Sequence, residues 1–594
     1  MTRTTPLRIA NCSGFYGDRI TAAREMVDGG PIDVLTGDYL AELTMLVLWK
    51  NQQRDASRGY AVSLLTQMRD VLTTCLDRGT KIVVNAGGLN PAGLARELEK
   101  LASEVGRTPR IAHIEGDDLL PRLPELQRDG HDLANLDTGT RLADAGVEPV
   151  TANAYLGAWG IVEALNADAD IVICPRVTDA SVVVGPAAWA FGWRPDDWDR
   201  LAGAVTAGHI IECGPQATGG NFSFFTEIPD PVRPGFPIAE MHPDGSCVIT
   251  KHPGTAGMVT PETVTAQLLY EIDAPAYRNP DVVTRFDTVR LAQEGPDRVA
   301  VTGTRGEPAP GTYKVSINYR GGYRNSVTFL LTGLNIEAKA TFAEDALFDG
   351  LGGRDQFGRV ETALVRTDHV DAALNAEAAA RFTVTVKDPD PDKVGRRFFD
   401  ASTSLSLSNY PGLFSERADR RAAEYGVYWP AIVPSGVVTQ TVVRPDGARV
   451  EVPHPPTGPA PSAPVEPAAA PPPPASTGAT RHLPLGTVAG ARSGDKGGNA
   501  NVGLWARTDD GYAWLRAYLT EARLRELLPE AAGLEISRYE LPNLRAVNFV
   551  VRGLLGEGVA ASSRQDPQAK GLGEYVRSRY ADIPAEILPE EAAR

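Results

Sequence analysis

Three polar, glycine-bearing stretches hold the residues of this sequence best suited to chemistry: Asn11-Cys-Ser-Gly-Phe-Tyr-Gly-Asp18, Asn85-Ala-Gly-Gly-Leu-Asn90 and Pro175-Arg-Val-Thr-Asp179. Each follows an apolar run that reads as a strand. Asn11, Ser13, Asn85, Arg176 and Asp179 supply directional hydrogen bonds or charge, while Gly14, Gly87 and Gly88 let a ligand approach the backbone. In open α/β sheets such loops meet at the carboxyl edge, where amides and helix N-termini face a ligand. The competing reading is tight turns and helix caps, with Asp18 and Asp179 capping the helices they precede. Asp38, in Thr36-Gly-Asp38, opens a helix in the same way, with Glu42 one turn further on.

Other motifs carry less. His209, Glu212 and Cys213 have helical spacing suited to a metal, but their glycine-rich surroundings lack a second ligand cluster, so no metal is expected. Glu240, His242 and Asp244 alternate around a His-Pro-Asp-Gly turn that explains them without chemistry. Neither a GxSxG elbow nor an HExxH helix occurs. No loop is GxGxxG or a Walker phosphate loop, which leaves a nucleotide cofactor without its usual cradle. The densest polar stretch is Arg492-Ser-Gly-Asp-Lys-Gly-Gly-Asn-Ala-Asn501, where Arg492, Asp495 and Lys496 could hold a phosphate or carboxylate, or simply decorate a solvated hairpin.

Positioning these loops requires a parallel sheet. Leu7–Asn11, Asp33–Leu35, Lys81–Asn85, Ile111–Glu115 and Asp170–Cys174 are short apolar runs separated by helix-period segments, the pattern of strands covered on both faces. After about residue 205 hairpin signals take over, in Pro237–Met241, Cys247–Lys251, Val299–Thr302, Tyr313–Tyr319, Val327–Leu331 and Arg381–Val386. Residues 453–480 hold 11 of the 46 prolines and one charge, which marks an extended spacer. The expected organisation is α/β: a parallel-sheet subdomain over 1–205, an α+β subdomain over 206–452, the Pro-rich linker 453–480, and a small ferredoxin-like α+β domain over 481–594, packed on the body with Asp495 and Lys496 facing it or an adjoining subunit.

Composition excludes several partners. A net charge of −16 disfavours nucleic acid and anionic membranes, because phosphate recognition needs a basic footprint. With 42% hydrophobic residues the chain can bury cores without a metal or disulfide. Its longest uncharged apolar run, Ala180–Trp193, is fourteen residues, short of the roughly twenty that span a bilayer. Five scattered cysteines without a CxxC pair read as reduced thiols. A cytoplasmic homo-oligomer is the expectation.

The stretches NCSGFYGD, LTGDYLAELTM, VNAGGLNPAG, TANAYLGAWGIVEAL, ADIVICPRVTDASVV, AGHIIECGPQATGGNF and GFPIAEMHPDGSCVITKHPGTAGMVT together resemble the acyclic terpene utilisation AtuA family. The same holds for GTYKVSINYRGGYR and, beyond the spacer, LPLGTVAGARSGDKGGNANVGLWAR and LPNLRAVNFVVRGLLGEGV. The resemblance covers nearly the whole chain and implies a part in citronellol and geraniol breakdown through CoA thioesters. Two departures fall in the loops: Cys174-Pro175 precedes Arg176 where the family pattern has Gly, and Gly498 stands where a small acidic residue is commoner.

The expected activity is therefore a cofactor-independent hydratase or lyase on an acyl-CoA or related carboxylic substrate, CoA entering only as part of that substrate. Such chemistry needs a carboxylate acid/base and donors for an enolate-like oxygen. Asp179 fits the first role, with Asn85, Gly87 and Gly88 as donors. Asn11, Ser13, Gly14, Asp38 and Arg176 would position the substrate, Lys251 and Lys496 would meet its phosphates, and Asp495 would join them in binding it. The alternatives are a non-catalytic acyl-CoA-binding or assembly subunit of a carboxylase pathway and an NAD(P)-dependent dehydrogenase.

Overall fold

The computed structural model describes residues 3–458 and 478–590, so most of the Pro-rich spacer lies outside the described residues. The described residues form two compact units, a large one within 1–318, 428–559 and 566–594 and a small one of 319–427 and 560–565.

The large unit is built on an eleven-stranded sheet. Its centre is parallel: Leu7–Asn11 pairs with Val34–Gly37, which pairs with Lys81–Val84, then Ile171–Ile173, then Ile111–Glu115. These strands are buried almost throughout because helices cover the sheet, and Ala10, Leu35, Ile82, Val84 and Ile173 join Met68, Leu72, Leu94 and Leu98 in one core. Both flanks are antiparallel. Pro237–Met241 pairs with Leu7–Asn11 and then Cys247–Lys251, Arg298–Thr302 and Arg290–Gly295 follow, while Thr441–Val443 and Arg449–Glu451 close the other side. The sheet thus runs across the expected boundary at 205. Strands of the second stretch complete the first sheet because Ile238, Ala239 and Met241, wholly buried, find their partners beside Leu7 and Ile9.

One long helix escapes the sequence pattern. Trp198–Ile211 is buried along nearly its whole length, so it lacks the polar stripe by which a surface helix is recognised. Ser181–Phe191, the expected buried helix, is likewise apolar all round. Among the described residues no helix is long and apolar enough to cross a membrane, and all five cysteines are unpaired.

The C-terminal residues form a four-stranded antiparallel sheet in the order Ala489–Lys496, Asn499–Ala506, Ala546–Val551, Ile536–Leu541. Helices Asp509–Tyr518 and Glu521–Leu527, capped by the hydroxyls of Thr508 and Thr520, pack with Leu572–Ser578 around Val502, Leu515, Leu524, Phe549 and Val576. This is the ferredoxin-like domain.

The small unit has strands Arg359–Val365, Ala379–Asp388 and the stretch 323–332 in antiparallel register over a core of Phe329, Leu347, Phe382 and Phe398. An open recess of about 540 Å³ there, lined by Glu344, Asp345, Phe348 and Arg354, holds none of the residues discussed below.

Candidate functional site

The loops that follow the parallel strands do converge. Asn85 Nδ2 donates to Asp38 Oδ1 at 2.5 Å, and Asn85 Oδ1 accepts from the Tyr39 amide at 2.7 Å. The Asp38 amide donates to the Ser13 carbonyl, and the Gly87 amide to the Cys174 carbonyl at 3.0 Å. None of the three loop aspartates caps a helix. Asp18 accepts from the Gly14 and Arg19 amides and clamps its own loop. Helix Glu42–Arg54 starts after Ala41 and helix Ser181–Phe191 after Ala180, neither with a side-chain cap.

Arg176 is the centre of the site. It is 1% exposed, its guanidinium carbon stands 4.1 Å over the Tyr155 ring, and Nη1 donates to Asp179 Oδ1 at 2.7 Å. Burial works against its charge, but Asp179, Tyr155, Glu42 and Asp38 outweigh this and hold Arg176 protonated. The loop is fixed from behind by Asp117, whose carboxylate accepts from the Arg176 amide and from Asn153 Nδ2.

Around this cation the carboxyl groups are driven apart in acidity. Burial, reinforced by the charge of Asp179, pushes Asp38 well above the ordinary carboxylate range despite Arg176 and the Asn85 bond. Burial and Asp179 raise Glu212 in the same way. For Glu42 burial is overcome by Lys314 and Arg176, helped by the Tyr155 hydroxyl at 2.9 Å, and the carboxyl falls to about 2. Lys314 lies 3.5 Å from Glu42 and faces the Tyr155 and Tyr428 rings. Two carboxyl groups with raised pKa values thus share a site with one whose pKa is lowered, the separation that acid–base catalysis requires.

Helix Trp198–Ile211 delivers the third edge. Asn11 Nδ2 donates to the carbonyls of Ile211 and Glu212, so the first loop holds the end of this helix. Gly14 permits the approach, since a Cβ there would stand 2.7 Å from the Cys213 carbonyl carbon. His209 Nδ1 lies 3.1 Å from Glu212 Oε1, and burial with the nearby Lys496 lowers the imidazole to about 3, which keeps it neutral. Its ring packs against Tyr277 and Phe286. Among the described residues no three His, Cys, Asp or Glu side chains converge to hold a metal.

The ferredoxin-like domain supplies the fourth edge. Its polar stretch is no open loop: strands pair from Arg492–Gly503 to Lys496–Asn499, and Gly497 takes φ +66° at the turn. The body holds this hairpin tightly. Asp137 accepts from the Gly498 amide and Asn499 Nδ2, while Asn501 bonds both the Leu269 carbonyl and the Glu271 amide. Lys496 Nζ donates to the Glu271 carbonyl and faces the Tyr277 ring. Burial and Lys314 lower its ammonium. Burial, then the charge of Glu42, raises Asp495 to about 7.

Sequence reasoning and geometry part company at several positions. Asn85, expected as an oxyanion donor, holds Asp38 and Tyr39 instead. The Gly87 and Gly88 amides, given the same role, already donate to the Cys174 and Asn85 carbonyls. Ser13 and Gly14 shape the loop: the Ser13 hydroxyl donates to the Phe15 carbonyl. Lys251 belongs elsewhere, paired with Asp297 at 3.0 Å and bonded to the Thr255 carbonyl. Sequence spacing gives no role to Tyr155, Lys314, Glu271 or Tyr277: the first two are single side chains within TANAYLGAWGIVEAL and GTYKVSINYRGGYR, and the other two stand outside those stretches.

A family model described as acyclic terpene utilisation family protein AtuA matches residues 7–444, and a second, the AtuA ferredoxin-like domain, matches 483–580. No curated protein and no solved structure matches the chain. With most of its length matched, and the residues of the buried cluster divided between the two matched regions, the chain belongs to the acyclic terpene utilisation AtuA family.

Proposed function

We propose that this protein is an acid–base enzyme of acyclic terpene breakdown, acting as a hydratase or lyase on an acyl-CoA or related carboxylic substrate. The observation that carries the reading is the division of acidity around Arg176: Asp38 and Glu212 raised, Glu42 held at about 2. A protonated carboxyl can deliver a proton to an enolate-like oxygen or a leaving hydroxyl, and an ionised one can remove a proton from carbon or water. Arg176 then stabilises the negative charge that develops. The general-acid role passes from Asp179 to Asp38 or Glu212, because Asp179 is committed to the guanidinium. Asn85 and Asn11 are positioning residues for Asp38 and Glu212. The reaction needs no cofactor beyond the CoA part of its substrate.

The test is incubation of the pure protein with a panel of unsaturated and hydroxylated acyl-CoAs, read by mass spectrometry for a gain or loss of 18 mass units, the mass of water. Turnover that falls at least 100-fold in Asp38→Asn supports the reading. Turnover that is unaffected in both Asp38→Asn and Glu212→Gln overturns the assignment. Saturable binding of the panel without any conversion favours the non-catalytic acyl-CoA-binding alternative.

A further inference from the structure

Arg492 is a buried cation without a hydrogen-bonded partner. It is 6% exposed, its Nη2 is enclosed, and among the described residues its guanidinium makes no hydrogen bond or ion pair. Its stacking contact is with Tyr270, whose ring centre lies 4.3 Å from the guanidinium carbon. The strand can lie against that ring because Gly494 has no Cβ where one would stand 2.7 Å from Tyr270 Cε2. Proteins seldom bury a guanidinium with unmatched donors, because the lost hydration is recovered only when an anion or carbonyl takes its place.

A second cation attends the same ring from a more open position. Lys570 Nζ lies 4.4 Å from the Tyr270 ring centre and 3.3 Å from Glu271 Oε1, with 39% of its side chain exposed. Both cations lie within electrostatic reach of Cys213, the residue next to Glu212. A buried cation and a partly exposed one therefore meet at the Tyr270–Glu271 turn, the same turn on which Lys496 is seated.

We propose that Arg492, with Lys570 nearer the solvent, binds the carboxylate of a carboxylic substrate or product. The proposal rests on reading the adjoining cluster as the reaction site and names the group that anchors the reacting molecule beside it. A carboxylate is the matching anion for two reasons. The planar guanidinium presents paired donors at the spacing of carboxylate oxygens. Arg492 is also the one buried positive charge of this site, which balances a monoanion and leaves a phosphate dianion in excess.

The test measures binding rather than turnover, so its outcome is separate from that of the proposed reaction. Glutarate, 3-methylbut-2-enoate, inorganic phosphate and pyrophosphate are titrated at matched ionic strength against the full chain, by calorimetry and thermal shift. Saturable binding of a carboxylate, weakened about tenfold or more in Arg492→Gln and partly rescued in Arg492→Lys, is expected for a pair of charge-assisted bonds. Lys570→Glu, at a partly exposed position, is expected to weaken the same binding severalfold and decides the matter if the Arg492 variants do not fold. Binding of phosphates alone, of neither carboxylate, or of carboxylates equally by wild type and Lys570→Glu overturns the proposal.

Discussion

Lys496 Nζ donates to the main-chain carbonyl of Glu271 at 2.8 Å, joining the tip of the ferredoxin-like hairpin to the body that carries Arg176. Through this bond, and through Asn501 on either side of the 269–271 turn, Asp495 is brought within the field of Glu42. The second domain therefore forms a wall of the candidate site.

The seam between the domains depends on Asp137. Its carboxylate accepts from the Gly498 amide at 3.0 Å and from Asn499 Nδ2 at 2.7 Å. Asp137→Ala removes both bonds and leaves two donors unmatched, at a cost of about 2 kcal/mol. Urea denaturation should show that loss, and hydrogen exchange should rise in residues 492–501. Unchanged exchange in the hairpin would mean that the other contacts hold it alone.

The Arg176–Asp179 pair gives a prediction opposite to that of a helix cap. Asn replaces a capping Asp almost without loss. Asp179→Asn instead leaves a fully buried guanidinium short of its counter-charge, and, with Asp179 31% exposed, about 1–3 kcal/mol of stability should go. Thermal unfolding checks this; an unshifted midpoint sinks the ion-pair account.

Asp117 makes stability pH-dependent. Burial raises its carboxyl from 3.8 to about 7, against the Asn153 and Arg176 amide bonds. The folded state thus prefers the protonated form. The stabilisation is complete below the unfolded value and is lost as pH rises through the folded one, so the window is roughly pH 4 to 7. At about 1.4 kcal/mol per unit, the contribution is on the order of 4 kcal/mol. Asp117→Asn should flatten the fall in stability across that window, as followed by denaturation at stepped pH; a parallel fall in wild type and variant contradicts it.

Lys251 separates structure from chemistry. Its ammonium is buried against Asp297 and the Thr255 carbonyl, in a strand on the antiparallel flank. Lys251→Met should cost about 1–2 kcal/mol, since Asp297 keeps partial access to water, and should leave kcat/KM on the productive acyl-CoA unchanged. A selective loss of kcat/KM in a stable variant would return Lys251 to the site.

The strand–loop alternation of residues 7–179 is legible in the sequence because parallel strands buried on both faces are apolar throughout, and polar residues can only gather at their ends. That logic selects Asn11, Asp38, Asn85, Arg176 and Asp179 from the sequence alone. What each does is decided by tertiary structure. Asn85 looks like a donor to a ligand until Asp38 is seen to occupy it, and Asp179 looks like an acid until Arg176 claims it. His209 sits on, and Glu212 just beyond, a helix so thoroughly buried that it has no amphipathic signature. The 492–501 stretch reads equally as an anion-holding loop or a solvated hairpin facing the body; only the tertiary structure shows it as paired strands whose Lys496 and Gly498 are bonded to the body. Acidity is the least local property of all: Asp38 and Glu42, four residues apart, are both buried, but burial reinforced by Asp179 raises the first while Lys314 and Arg176 overcome burial and lower the second, and no spacing rule records which charges the fold will bring near.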